Sequence, residues 1–182
     1  MSDLYKRKKE PQLNKQLVLD AAADIGANQD WHAVTFQAIA DKTGLSKGGI
    51  MHHFRSKDDL LEELMRQSLA ELTLWMNQHM AATSSNDPSL AYLKFIIDKS
   101  PDEKYQKTMK VIHQAIVTGK LHWMWEEWFQ ENIAIKTGPD PDISTLIIQL
   151  VADGLWYADT SGFPNYSNDQ KHKIFTKLCQ LP

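Results

Sequence analysis

Apolar residues recur at three- and four-residue spacing along almost the whole chain, a rhythm that predicts one helix after another. Leu13, Leu17, Ala21 and Ile25 form the first stripe, with Pro11 near its start and Gly26 at its end. Thr35 is placed to cap a second helix whose apolar face is Phe36, Ile39 and Ala40, and Gly44 suits the left-handed position that ends it. Ser46 caps a short, mostly polar third helix. Ser56-Lys57-Asp58-Asp59 opens a fourth in the Ser-x-x-acid pattern. Its apolar positions run Leu60, Leu61, Leu64, Leu72, Trp75, Met76 and Met80, with no breaker before residues 83–88. That predicts about 25 residues of helix, nearly ~40 Å long.

The rest of the chain continues in the same way. Asp87-Pro88 opens a helix carrying Leu90, Leu93, Ile96 and Ile97. Ser100-Pro101-Asp102-Glu103 predicts the next start, a capping box with proline at the first helical position, and that helix runs toward Gly119. A further helix, from about Leu121 to before Gly138-Pro139, holds Trp123, Trp125, Trp128 and Phe129. Asp140-Pro141-Asp142 starts another with Ile143, Leu146, Ile147, Leu150, Val151, Leu155 and Trp156, broken at Gly162-Phe163-Pro164. A last helix spans about residues 167–180. No strand pattern, repeat or low-complexity tract intervenes, so the predicted fold class is all-α.

Residues 35–60 carry the most specific local information. A helix, a tight turn and a second exposed helix make the geometry of a helix-turn-helix DNA reader. The short helix presents Lys47, Gly48, Gly49, His52 and His53. Two adjacent glycines cost about 1 kcal/mol each inside a helix. Close approach of a partner backbone is one reason for them, since glycine has no side chain to hold two surfaces apart. Lys47 lies in the first turn, where docking places base contacts, and an ammonium can donate to guanine O6 or N7. Thr35 combines its cap with a phosphate contact through its hydroxyl and the helix N-terminus. Lys57, at the start of the fourth helix, is placed to meet another phosphate. Ile50 and Phe54 read as core of a small three-helix domain. Neighbouring helical side chains diverge by roughly 100°, so His52 and His53 do not make a chelating pair, and neither a metal nor a cofactor is expected.

The run Gly44-Leu45-Ser46-Lys47-Gly48-Gly49-Ile50-Met51-His52-His53-Phe54-Arg55-Ser56-Lys57, followed by Leu60, resembles the signature of the TetR (tetracycline-repressor-type) transcriptional regulators. That signature is Gly, a small apolar residue, Ser, a variable residue and Gly, then an aliphatic-Tyr-x-His/Tyr-Phe run and a Ser/Asn-Lys pair. The chain departs from it at Met51, where the family most often has a tyrosine that donates to a phosphate. A thioether cannot donate, which removes that one hydrogen bond and leaves the helix. The resemblance covers about the first third of the chain; the remainder fits by layout and length. It implies that Thr35, Ser46, Lys47, Gly48, Gly49, Met51, His52, His53 and Lys57 face DNA, with Lys47, Gly48 and Gly49 toward the major groove and His53 a second phosphate donor. It also implies a helix-turn-helix domain over residues 1–57 and, over residues 58–182, a helical domain for effector binding and dimerisation, joined by the long fourth helix.

Charge sharpens this division. The net charge is −3, but residues 1–57 carry nine Lys/Arg against six Asp/Glu and residues 58–182 carry eleven against seventeen, giving +3 and −6. A basic head on an acidic body is the asymmetry expected when one end meets nucleic acid. Tyr5-Lys6-Arg7-Lys8-Lys9 forms a short basic arm, either a solvated terminus or an addition to phosphate or minor-groove contact. One cysteine, Cys179, excludes an internal disulfide, and no run approaches the ~18–20 apolar residues of a membrane span. With no signal-peptide segment at the N-terminus, a cytoplasmic location is expected.

A second cluster, His122-Trp123-Met124-Trp125-Glu126-Glu127-Trp128-Phe129, has two readings. Aromatics at helical spacing serve a core or a dimer seam. They also line pockets for small effectors, with Glu126 or Glu127 opposing a cation. Trp123, Trp125, Glu126, Trp128, Trp156 and Tyr157 are therefore the effector-contact expectations, with Asp153 and Asp159 of the same kind, and the implied effector is aromatic or a lipophilic cation. No Gly-x-Ser-x-Gly, phosphate loop or metal-ligand spacing supports an enzyme. The leading reading is a homodimeric, ligand-responsive transcriptional regulator, a repressor on a pseudo-palindromic operator. Its dimer is expected to form through helices at about 141–160 and 121–136. The alternative is an effector-independent dimeric DNA-binding protein whose body serves dimerisation or partner recruitment.

Overall fold

The computed structural model of the protein describes residues 11–181, all helix, turn and loop with no strand among them. The basic arm at residues 5–9 lies outside the described residues. Helix α1 (Pro11–Asn28) is followed by a single 3₁₀ turn (Trp31–Ala33), then α2 (Phe36–Thr43) and α3 (Lys47–His53). The long α4 (Lys57–Thr83) leads to α5 (Pro88–Lys99), α6 (Glu103–Val117) and α7 (His122–Phe129). A π turn (Gln130–Ala134) carries α7 into the one-turn α8 (Ile135–Thr137), and α9 (Ile143–Ser161) and α10 (Asn168–Leu178) complete the body.

The starts follow the sequence closely because their caps are local. Ser56 Oγ accepts from Asp59 N at 3.0 Å, Asp142 Oδ1 from Thr145 N at 2.7 Å, and Ser167 with Gln170 forms a reciprocal capping box. One start differs. The α6 cap is Asp102, which accepts from Tyr105 N at 3.0 Å, while Ser100 closes α5 and Pro101 stays outside both helices. Asp102 has the carboxylate oxygen within reach of the free N–H groups, so the helix begins two residues later than the Ser-Pro signal suggests.

The first apolar stripe is corrected in its first half: Leu13 and Leu17 are exposed, whereas Ala21 and Ile25 are buried as expected, together with Val18, Leu19 and Ala22. The reason is tertiary: α1 packs chiefly on α6 and α2, and the residues it turns toward them are the buried ones. Gly26 allows that contact, since a Cβ there would lie 2.7 Å from Val111 Cγ2.

The apolar core passes from head to body without a break. Val18, Leu19, Ile39, Ile50 and Phe54 of the head pack in one cluster with Leu60, Leu61 and Leu64 of α4 and with Val111 and Ile112 of α6. A second cluster, around Leu93, Phe95, Trp128, Ile148 and Leu155, occupies the far end, where α5 packs on α9.

Candidate functional site

At the head, local hydrogen bonds shape the reading face. Thr35 Oγ1 accepts from Ala38 N at 3.0 Å, Gly44 takes φ 71° at the end of α2, and Ser46 Oγ accepts from Gly49 N at 3.1 Å. Ile50 and Phe54 are buried and fix α3 against the head. Lys47, Gly48, Gly49, Met51 and His52 remain exposed on the outer side, and Met51 keeps 50 % of its surface in solvent. The two glycines differ. A Cβ on Gly49 would come within 3.2 Å of the Ser46 cap, whereas one on Gly48 would meet nothing within 4 Å. Gly49 therefore serves the fold, while nothing among the described residues requires Gly48.

His53 is half-buried at the edge of this face. Burial, and then the nearby charges of His52 and Lys15, hold its imidazole below the usual histidine value. Lys57 behaves differently from a free lysine. Its ammonium donates to the Trp31 carbonyl and lies 5.0 Å from the centre of the Trp31 ring. Desolvation, followed by the charge of Lys120, lowers its pKa. The Trp31 carbonyl takes one of its three N–H donors, which leaves the other two for a phosphate. Sequence alone gave no signal of this clamp, because Trp31 and Lys57 are 26 residues apart.

The body contains a cavity of about 340 Å³ between α4, α5, α6, α7 and α9. Its wall is predominantly apolar: Met65, Leu69, Phe95, Met109, Ile112 and Trp125 are typical members. His122, Asp153 and Tyr157 are solvent-exposed members of the wall and mark its mouth. The Tyr92 hydroxyl donates to Asp153 Oδ1 at 2.9 Å. Although solvent reaches Asp153, the surrounding protein desolvates it enough to raise its carboxyl above the usual carboxylate range. Desolvation also pushes the Tyr92 and Tyr105 hydroxyls up.

Three of the expected effector contacts, Trp125, Trp156 and Tyr157, stand on this wall, as does Asp153. Trp123, Glu126 and Trp128 do not. Trp123 and Glu126 point to solvent, with Glu127 beside them. Trp128 is buried in the far core, where its indole N–H donates to Thr73 Oγ1 at 2.7 Å. Three tryptophans in six residues cannot share one face of a helix, and packing selected Trp125 for the cavity. Asp159 has its partner within the chain: Lys171, buried on α10, donates to it and to Ser100 Oγ. Tyr92, Phe95, Tyr105 and Met109 were missed because a cavity wall and a core face share the same apolar period.

Helix α6 connects the two sites. Tyr105, Met109, Ile112 and Ile116 face the cavity. On its other side, Lys107 pairs with Asp24 at 2.8 Å, Lys104 with Asp20 at 2.9 Å, and Gln114 Oε1 accepts from Trp31 N at 3.2 Å. Just past its end, Lys120 pairs with Asp58 at 2.8 Å, beside Lys57. Among the described residues no three His, Cys, Asp or Glu side chains are gathered as for a metal ion, and no helix is long and apolar enough to cross a membrane.

The comparisons agree with this arrangement. Residues 18–64 match the model of bacterial regulatory proteins of the tetR family, and residues 86–181 match the tetracyclin repressor-like C-terminal domain. The HTH-type transcriptional repressor KstR2 of Mycolicibacterium smegmatis is 35% identical over 161 residues, covering 81% of this chain and 78% of its own. The HTH-type transcriptional regulator BetI of Yersinia pestis is 34% identical over 91 residues, 50% of this chain, so the match spans under half, 46%, of that relative's length. The solved structure of the multidrug binding protein EbrR complexed with malachite green superposes with a TM-score of 0.66 at 16% identity, covering 90% of this chain and 96% of that one, a likeness of fold. The matched C-terminal model alone spans over half of the chain, and with the head model in front of it the chain belongs to the tetR family of bacterial regulatory proteins.

Proposed function

We propose that the protein is a homodimeric transcriptional repressor that binds a pseudo-palindromic operator and is released by a small-molecule effector, with residues 1–57 as the DNA-binding head and 58–182 as the body. The observation that carries this reading is the pairing of an exposed, Cβ-free recognition face at Gly48 with a 340 Å³ cavity in the body. Thr35, Ser46, Lys47, Gly48, Gly49, Met51, His52, His53 and Lys57 are the proposed DNA-facing set. Lys47 reads a base edge, and Thr35, His53 and Lys57 take phosphates. Trp125, Trp156 and Tyr157 are the proposed effector contacts, and the effector is an aromatic molecule or a lipophilic cation. EbrR, of similar fold, has been solved with malachite green bound. A regulator of this kind works in the cytoplasm.

Dimerisation is assigned to α9. Ile143, Ile147, Leu150, Gly154 and Tyr157 recur along it at four- and three-residue steps, and the apolar members are all exposed. Such a stripe suits a second copy of the same helix, with the exposed Ile135 of α8 beside it in a four-helix seam. An effector that prefers the DNA-incompetent arrangement acts through α4 and α6, which both wall the cavity and reach the head.

Fluorescence-anisotropy titration against the upstream intergenic DNA, at two salt concentrations with scrambled competitor, tests this reading. Selective, salt-sensitive binding at two chains per site is expected. Equal binding to scrambled DNA sinks the operator claim, and a mass of 20.8 kDa by light scattering at micromolar concentration sinks the dimer. An effector-independent DNA-binding protein would show no ligand-induced thermal shift across a broad library.

A further inference from the structure

We infer that the body cavity selects molecules that carry a protonated amine on an apolar frame, with Asp153 as the counter-ion that accepts the ammonium N–H. The inference rests on the effector reading above and narrows it to one chemistry.

The charge inventory of the wall comes first. Among the described residues, no lysine or arginine lines the cavity, and Asp153 is its carboxylate. An anionic ligand would meet that carboxylate with no lysine or arginine on the wall to offset the repulsion. The other helices bring hydroxyls and one imidazole to the cavity, and no lysine or arginine. Ser68 on α4 donates its hydroxyl back to Leu64 O at 2.9 Å. Tyr105 on α6 offers a hydroxyl that makes no hydrogen bond with a described residue, and His122 on α7 stands at the rim.

Hydrogen-bond capacity comes second. The carboxylate of Asp153 receives one donor from the described residues, the Tyr92 hydroxyl on Oδ1. Oδ2 has none. A carboxylate that is partly desolvated gains most from a charged donor, and charge-assisted hydrogen bonds are about twice as strong as neutral ones. An ammonium N–H fills that position; a quaternary ammonium supplies the charge without the proton. The aromatic rings of Tyr92, Trp125, Trp156 and Tyr157 add faces that favour a cation.

Calorimetric titration of the full chain with four size-matched probes tests the assignment: 4-phenylbutylamine, 4-phenylbutanol, 4-phenylbutyrate and trimethyl(4-phenylbutyl)ammonium. The amine should bind about tenfold tighter than the alcohol, the quaternary cation should fall between them, and the carboxylate should bind most weakly. Asp153→Asn should bring the amine to within about twofold of the alcohol and leave the alcohol unchanged. Asp153→Ser serves as a second variant, and melting curves establish that each variant folds. Equal binding of amine and alcohol, a quaternary probe as tight as the amine, or an advantage that survives in Asp153→Asn overturns the inference while leaving the cavity as an effector site. Absence of binding by all four probes overturns the effector reading with it.

Discussion

The DNA-reading head and the body cavity are built on opposite plans. The reading face comes from consecutive residues between Thr35 and Lys57, held by caps that reach three positions along the chain. The cavity wall draws from Met65 to Tyr157 across five helices, and no two neighbouring helices complete it. A face made of local bonds tolerates variation elsewhere, whereas a cavity made of distant side chains depends on how the whole body packs. The two are nevertheless joined by one apolar core and by α6.

The strongest test of that junction is Phe54→Ala, which empties a buried site beneath α3 and should cost about 3–5 kcal/mol of stability in urea titration. Because the core is continuous, ligand binding in the body should weaken as well; full retention of ligand affinity would show that head and body are independent units. Next comes Lys47→Ala, expected to lose about 1–3 kcal/mol of operator affinity and less of nonspecific affinity. Unchanged operator preference would remove Lys47 from the base-reading face. Lys57→Ala should weaken both kinds of binding alike and lower the salt slope by about one. An unchanged slope would mean that Lys57 meets no phosphate in the complex.

Two smaller effects separate fold from function. The carboxyl of Asp24 is held at about 2 by Lys107 and Lys42, below its ordinary 3.8. A depressed folded value contributes stability that is complete above pH ~4 and is lost as pH falls toward 2. Lys107→Met should therefore flatten the acid limb of the stability curve in part, leaving the share that Lys42 supplies. Gly48→Ala has the opposite signature. With open space for a Cβ it should raise stability by up to about 1 kcal/mol, yet weaken DNA binding if the groove approaches this backbone. Gain in both would dissociate Gly48 from DNA.

Much of the head was legible because its determinants are short-range. Thr35, Gly44, Ser46 and Ser56 each stand where the sequence places them, and Ile50 and Phe54 are buried as expected. Leu13 and Leu17 of the α1 stripe are exposed while Ala21 and Ile25 are buried, because periodicity reports which side of a helix is apolar and not how much of that side a neighbour covers. The aromatic cluster divided among solvent, core and cavity for the same reason. Asp159 gave no outward sign of Lys171, and neither Tyr92 nor Tyr105 could be told from an ordinary core residue.

The amino-acid order by itself therefore determined the succession of helices, their caps and the place of the short exposed helix in the helix-turn-helix, since those depend on groups within a few residues of each other. Tertiary structure alone decided the rest. It set the clamp on Lys57, the ionic ties of α6 and the space in which Asp153 meets Tyr92. Those features depend on distances between helices, and a linear pattern of apolar and polar residues fixes which faces are buried without fixing what lies across from them.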